Sequence, residues 1–206
     1  MEAIYKFFDY LRKENRWWVI VLMFLAFAIF ALQESLNHIV KKNYDPVVEL
    51  TAKAERVNER LQYLLQSTDA DRVYIFQFHN GVTYYTGEHA QRFTCTYEIA
   101  KQGISLEARN LQGLQVSVYS WFISQTLKGE MCYIDVDNIP HYTTRYTLHA
   151  QGIQSLKVMP LIHNGQVVGM IGVDYVSHQN EFVKEPIYND WFEDVATEIS
   201  NLLHDE

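Results

Sequence analysis

Eight histidines are the first residues to weigh for chemistry, at positions 38, 79, 89, 141, 149, 163, 178 and 204. Helical metal sites space their ligands as His-Glu-x-x-His or His-x-x-x-His, and thiolate sites as Cys-x-x-Cys. Neither spacing occurs, and two cysteines exclude a four-thiolate centre. Asp135 and Asp137 flank Val136 at a strand end. Alternate residues there share a face, so two carboxylates could cooperate, although the same pattern serves turns. Ser117, Ser120 and Ser124 sit in no Gly-x-Ser-x-Gly setting, and no P-loop or Gly-x-Gly-x-x-Gly is present. The expectation is a protein that is not an enzyme, with no metal and no cofactor. Cys95 and Cys132 each fall on a strand pattern. In an oxidising compartment they could form a disulfide if the strands bring their Cα atoms within about 6 Å. As small apolar residues they could equally stay buried and free.

The elements that position these residues begin with an apolar run. Trp17–Leu32 reads WWVIVLMFLAFAIFAL without a charge. As a helix it covers roughly 24 Å, and helix-permissive Gln33 to Leu36 extend it towards a hydrocarbon core of about 30 Å. A cleaved signal peptide would need a short basic leader and a small-residue site after the run. Instead the leader is sixteen residues long and Gln-Glu-Ser-Leu follows. The reading is a single-pass anchor at 17–36, preceded by a segment 1–16 in which Ile4, Phe7, Phe8 and Leu11 share one helical face at the interface.

Charge divides accordingly. The chain of 206 residues has a formal net charge of −8. Six basic and four acidic side chains lie in residues 1–42, against 11 and 21 in 43–206. The acidic balance excludes nucleic acid as a partner. Lys6, Arg12, Lys13 and Arg16 lie closer to the span than the basic residues after it, so the N-terminus is expected in the cytoplasm and the C-terminal domain outside, in the periplasm of a bacterial inner membrane.

Asp45-Pro46 starts a second helix, with an N-cap acceptor before a proline at the first helical position. Val47, Leu50, Ala54, Val57, Leu61 and Leu64 then repeat as an a/d seam. Residues 37–66 are read as an amphipathic stalk. Its seam either pairs subunits into a homo-oligomer or packs on its own domain.

Residues 67–206 read as one α+β domain: a central antiparallel sheet packed against helices. Arg72–Asn80 and Arg92–Ala100 alternate as strands, with Asn80-Gly81 as a turn. Leu114–Leu127 reads as a helix closed by Lys128-Gly129, and Met131–Val136 as a strand. Gly152–Leu161 and Val167–Val176 form a hairpin about His163-Asn-Gly-Gln166, and Tyr188–Leu203 is the last helix.

The stretch GIQSLKVMPLIHNGQVVGMIGVDY, with RVYIFQFHNG ahead of it and a helix between, resembles a GAF domain over roughly residues 45–204. The resemblance implies a ligand site between the sheet and its covering helices. Its lining would come from the loop after Asn80-Gly81, the segment before Trp121 and the stretch Asp135–Tyr146. The candidate ligand or partner residues are therefore His79, Asn80, Tyr84, Tyr85, Trp121, Asp135, Asp137, Tyr142, Arg145 and Tyr146. Aromatics with a few polar groups suit a small-molecule pocket, and equally a polar-rimmed protein interface. The order of anchor, stalk and globular domain also resembles the T-even-phage type of holin. That resemblance implies a membrane protein that oligomerises into lesions timing host cell lysis, with an antiholin-like regulatory protein as partner. The alternative is a membrane-tethered GAF-like small-molecule sensor or protein-interaction module.

Overall fold

A computed structural model describes residues 5–6, 9, 17–43, 45–128, 132–176 and 187–204. The chain divides into two compact units, Met1–Glu49 and Leu50–Glu206.

The first unit contains helix α1, Trp17–Asn43. Within it Trp18–Ser35 has a mean hydropathy of 2.0, and none of it is buried. It is the one helix among the described residues that is long and apolar enough to cross a membrane. The interfacial face expected at Ile4, Phe7, Phe8 and Leu11 lies outside the described residues. Helix α2, Pro46–Ser67, starts where Asp45-Pro46 predicts. Asp45 Oδ1 accepts from the backbone N–H of Val47 at 2.9 Å and of Val48 at 3.4 Å, satisfying donors that the helix leaves open.

The second unit is an α+β domain. One six-stranded antiparallel sheet runs in the order β3-β2-β1-β6-β5-β4. Its strands are β1 Arg72–Thr83, β2 His89–Ala100, β3 Leu114–Gln115, β4 Cys132–Asp135, β5 Ser155–His163 and β6 Gln166–Tyr175. Helix α3 (Ser120–Thr126) precedes β4, α4 (Tyr142–Ala150) precedes β5, and α5 (Ile187–His204) closes the chain. Both faces of the sheet are covered, which explains why β1, β5 and β6 read as nearly continuous apolar runs. On one face Val73, Ile75, Met159 and Ile171 pack against Val57, Leu61 and Leu64 of α2 and Phe192, Val195 and Ile199 of α5. On the other, Tyr74, Phe76, Phe93, Val158 and Met170 pack against Phe122 and Ile123 of α3 and the residues around α4.

The β5–β6 hairpin forms as the sequence predicts. His163 pairs with Gln166, and Asn164 and Gly165 between them have φ of 50° and 75°. Two positive φ values are what a two-residue type I′ turn needs, and Asn-Gly tolerates them best. Gly169 answers a different demand. A Cβ there would sit 2.3 Å from the carbonyl oxygen of Phe76, so a side chain would push β1 and β6 apart.

Several expectations are corrected. Asn80-Gly81 is not the turn: β1 runs on to Thr83 through a register shift, and the chain reverses at Tyr84–Glu88, where the N–H of Tyr84 donates to Glu88 O. The expected helix Leu114–Leu127 forms only over Ser120–Thr126. Gly113 has φ of 60°, and Leu114 and Gln115 pair with Phe93 and Arg92 at the sheet edge. Gly129 and Met131 lie outside the described residues. Helix α4 occupies a stretch read as site-lining loop.

The Cys95–Cys132 disulfide does not form. Cys95 lies on β2 and Cys132 on β4, four strands apart in the sheet, which is roughly 19 Å at the usual spacing. The α2 seam divides. Val57, Leu61 and Leu64 are fully buried in their own domain's core, whereas Val47 and Leu50 are exposed. The half of the seam that the core occupies is therefore unavailable for pairing subunits, because its packing partners are intramolecular.

This division is testable by truncation. Leu61→Ala should destabilise the domain by about 2–5 kcal/mol through transfer and cavity costs. Leu50→Ala should stay within roughly 0.5 kcal/mol. Urea unfolding of the two variants, followed by tryptophan fluorescence, distinguishes them. Equal losses would mean that the exposed half is also held by packing.

Candidate functional site

The sheet face beneath α3 and α4 carries a group that a core normally excludes. Arg72 is the largest fully buried side chain, at 1 % exposure, and two buried carboxylates face it. The register explains the assembly. Arg72 is paired directly with Asp174 across β1 and β6, while Tyr74, two residues along the same face, is paired with Glu98 on β2 and Gly172 on β6. Arg72 Nη1 donates to Asp174 Oδ2 at 3.2 Å. Arg72 Nε lies 3.4 Å from Glu98 Oε1, without hydrogen-bond geometry. Glu98 is engaged elsewhere: its two oxygens accept the backbone N–H groups of Glu107 at 2.9 Å and Ala108 at 2.7 Å, pinning the β2–β3 loop over the sheet. Tyr74 fits here because residue 172 is glycine: a Cβ there would lie 2.5 Å from the tyrosine ring.

These charged groups line a pocket of about 50 Å³. Its floor is Arg72, Tyr74, Phe76, Phe93, Glu98 and Asp174 from the sheet. Leu111 and Tyr119 from the loops on either side of β3, Leu114 of β3, Phe122 of α3, Thr144, Thr147 and Leu148 of α4, and Gln151 and Ile153 beyond it complete the lining. Aromatic edges fix the walls: Tyr74 meets Phe76 at 5.3 Å, Phe76 meets Phe93 at 5.2 Å, and Phe93 meets Tyr119 at 5.7 Å, all T-shaped.

Electrostatics follow from one guanidinium facing two carboxylates. Burial pushes the Asp174 carboxyl up to about 7, against the pull of Arg72 and with the Glu98 charge adding to the rise. Burial, then the Asp174 charge, raises the Tyr74 phenol well above its ordinary value. Arg72 Nε and Nη2 have no hydrogen-bond partner among the described residues, whereas the Asp174 carboxylate draws on the Tyr74 hydroxyl as well as on Arg72. Each such unpartnered buried atom costs about 1–3 kcal/mol.

None of the ten expected site residues lines this pocket. His79 and Asn80 are exposed near the end of β1, with His79 Nε2 at 2.9 Å from Thr94 Oγ1, and Tyr84 and Tyr85 project at the hairpin tip. Asp135 caps the 3-10 turn Val136–Asn138 by accepting from the N–H of Asp137, and Asp137 lies 3.2 Å from His149 Nε2 at the surface. Trp121 on α3 is half-buried, beside Phe122, which does line the pocket. Tyr142 and Tyr146 stack on the exposed side of α4 with centroids 6.0 Å apart, and Arg145 Nη1 donates to Ile139 O at 2.9 Å. The neighbouring positions Thr144, Thr147 and Leu148 of the same helix turn inward. The missed residues, Arg72, Glu98 and Asp174, did leave a signal: ionisable side chains inside strands otherwise fit only for burial.

Removing the cation should be costly. Arg72→Met leaves Glu98 and Asp174 buried against no positive charge, a loss of about 3–5 kcal/mol in urea unfolding at neutral pH. Asp174 also sets a pH dependence. Its carboxyl titrates at about 7 in the folded protein and near 3.8 in the ordinary case, so between these values the folded state holds a proton that the unfolded chain releases. This group's contribution to stability is complete below pH 3.8 and is lost as pH rises through about 7. Asp174→Asn should flatten that decline, and an unchanged slope in the variant would place the titrating group elsewhere.

Among solved structures, the chain is similar to the blue-light-absorbing form of the PixJ GAF domain of Thermosynechococcus elongatus, at 16 % identity and a TM-score of 0.60 over 78 % of this chain and 89 % of that one. It is also similar to a GAF domain/HD domain protein of Geobacter sulfurreducens, at 12 % identity and 0.58 over 77 % and 96 %. A far-red-absorbing domain with bound biliverdin matches at 11 % identity and 0.52 over 73 % and 97 %. These likenesses concern the fold. No curated protein matches the chain. The family model of the GAF domain matches residues 54–203, which takes in most of the two helices on one face of the sheet, all six strands and the pocket. This chain belongs to the GAF domain family.

Proposed function

We propose that the chain is a membrane-tethered GAF module that senses a small molecule in the pocket beneath α3 and α4. The observation that carries this reading is the buried Arg72–Glu98–Asp174 cluster, with unpartnered polar atoms, at the floor of an otherwise apolar pocket. It is a binding arrangement rather than a reactive one, because no nucleophile with an adjacent base lines the pocket. The relatives named above include a photoreceptor domain and a domain holding biliverdin. With about 50 Å³ to offer, this pocket suits a much smaller guest.

The anchor is α1. Its length, hydropathy and lack of buried surface support a single pass. The basic residues ahead of the span support an N-terminus in the cytoplasm, with the GAF domain on the far side of the membrane. The expectation of a lysis protein rested on the order of elements alone. The family match and the structural relatives favour the sensor reading instead.

A thermal-shift screen of the full chain in detergent against a small-molecule library tests the pocket. Stabilising compounds should be displaced or weakened by Leu148→Trp, which fills the pocket from α4. A screen with no stabilising compound would overturn the sensor reading. Induced expression in a bacterium should leave growth and membrane potential steady, whereas abrupt depolarisation would return the lysis reading to first place.

A further inference from the structure

A group of exposed apolar side chains shares one end of the second unit, and contacts between its elements fix which end that is. Lys53 Nζ of α2 donates to Leu203 O of α5 at 3.5 Å, Arg60 Nη2 lies 2.7 Å from Glu198 Oε1, and Trp191 Nε1 donates to Tyr63 Oη at 3.2 Å. The two helices therefore run antiparallel, with the start of α2 beside the end of α5. That end of α5 meets the β5–β6 turn: Ser200 Oγ donates to Ile162 O at 2.8 Å, and the His204 and His163 rings stack at 4.5 Å. Strand β1 pairs with β6 as far as Gln77 and Gly169, so three residues further on Asn80 is level with Gln166 at the turn. Beyond that level β1 and β2 continue as a two-stranded ribbon, paired to Thr83 and His89. Its tip carries Val82, Tyr84 and Tyr85, all exposed and Tyr85 completely so. Leu50 and Ile162, also exposed, lie at the same end.

The chain enters the domain at this end, because α2 starts here. We infer that the tip of the β1–β2 ribbon is a lipid-docking surface, with Val82, Tyr84 and Tyr85 seated in the interface of the bilayer that α1 crosses. The inference rests on the reading of α1 as a membrane span. Chain length fits it. The eighteen residues from Ser35, where the apolar window ends, to Lys53 cover about 27 Å at the helical rise. The ribbon extends roughly 15 Å from Asn80 to Tyr85, and a headgroup layer adds about 6 Å. Helix tilt shortens the remainder. The chemistry fits as well. Tyrosine combines an apolar ring with a polar hydroxyl and collects at membrane–water interfaces. Residues 80–91 hold one formal charge, Glu88, in a domain that is otherwise strongly acidic. The span already holds the domain beside the bilayer, so the effective concentration is high and a weak contact suffices.

The test uses the full chain reconstituted in phosphatidylcholine vesicles. Tyr85→Cys is labelled with nitrobenzoxadiazole, a dye whose emission reports its surroundings. The reference is Gln102→Cys, exposed just past Ala100, which pairs with Arg72 at the opposite end of β1. The wild-type chain treated in the same way corrects for Cys95 and Cys132. Lipid spin-labelled at the headgroup should quench the label at position 85 at least about threefold more strongly than the one at 102. Adding Tyr84→Asp, which brings a charge to the tip, should lower that quenching at least about twofold. The fold tolerates this change, since Tyr84 is exposed and its bonds to Glu88 and Gly87 are made by the backbone. Equal quenching at the two positions would overturn lipid docking and leave the span standing. Protection of the label at position 85 from aqueous iodide without spin-label quenching would mean that a second copy covers the tip, which also overturns it. Failure of the chain to float with the vesicles would overturn the span itself.

Discussion

A charged guanidinium buried at the start of a central strand is the constraint to which the rest of this domain answers. Arg72 can be buried only because β6 places Asp174 directly opposite it and β2 places Glu98 on the adjacent strand. Those partners impose further conditions. Glu98 must have both oxygens occupied, and the backbone of Glu107 and Ala108 supplies the donors, which draws the β2–β3 loop across the sheet. Tyr74 must share the same face, and it does so over the missing side chain of Gly172. The cost of desolvating three charges is set against few hydrogen bonds, so the cluster is poor at stabilising the domain.

The two faces of the sheet therefore work differently. The face beneath α2 and α5 is an apolar core with little polar chemistry, and it holds the fold. The opposite face combines an aromatic wall with buried charge under two short helices, of seven and nine residues. Strand alternation alone separates these roles: Val73 and Val173 belong to the first face, Arg72, Tyr74 and Asp174 to the second.

Much of the framework was legible in the residues. Asp45-Pro46, the Asn164-Gly165 turn and the apolar stripe of α5 are local signals, and each led to the right element. The misses have physical causes. Asn80-Gly81 carries a turn signature, but cross-strand pairing of Thr83 with His89 carries β1 past it. Helix α4 is polar with a weak apolar stripe, and its N-cap is a histidine, His141, whose Nδ1 faces the N–H of Thr144 at 3.4 Å, so little marks its start. The expected site residues and the pocket part for a related reason. Aromatic and polar residues in loops drew attention to positions that point outward, while the buried charged residues of the pocket sit inside strands, where a charge reads as an interruption until its partners on β2 and β6 are known.

The core on the α2 and α5 face ties together the two ends of the domain. Val57, Leu61 and Leu64 come from its first helix and Phe192, Val195 and Ile199 from its last, and all six share one cluster. The domain therefore cannot be cut back past Val57 at one end or Ile199 at the other without opening the same core. A piece cut at the Ser67–Asp69 break, where the helix ends and the sheet is about to begin, would carry every strand and every pocket residue yet lack the surface on which the sheet rests. The smallest autonomous GAF unit here starts upstream of Val57, inside a helix whose first residues, up to Glu49, belong to the other compact unit.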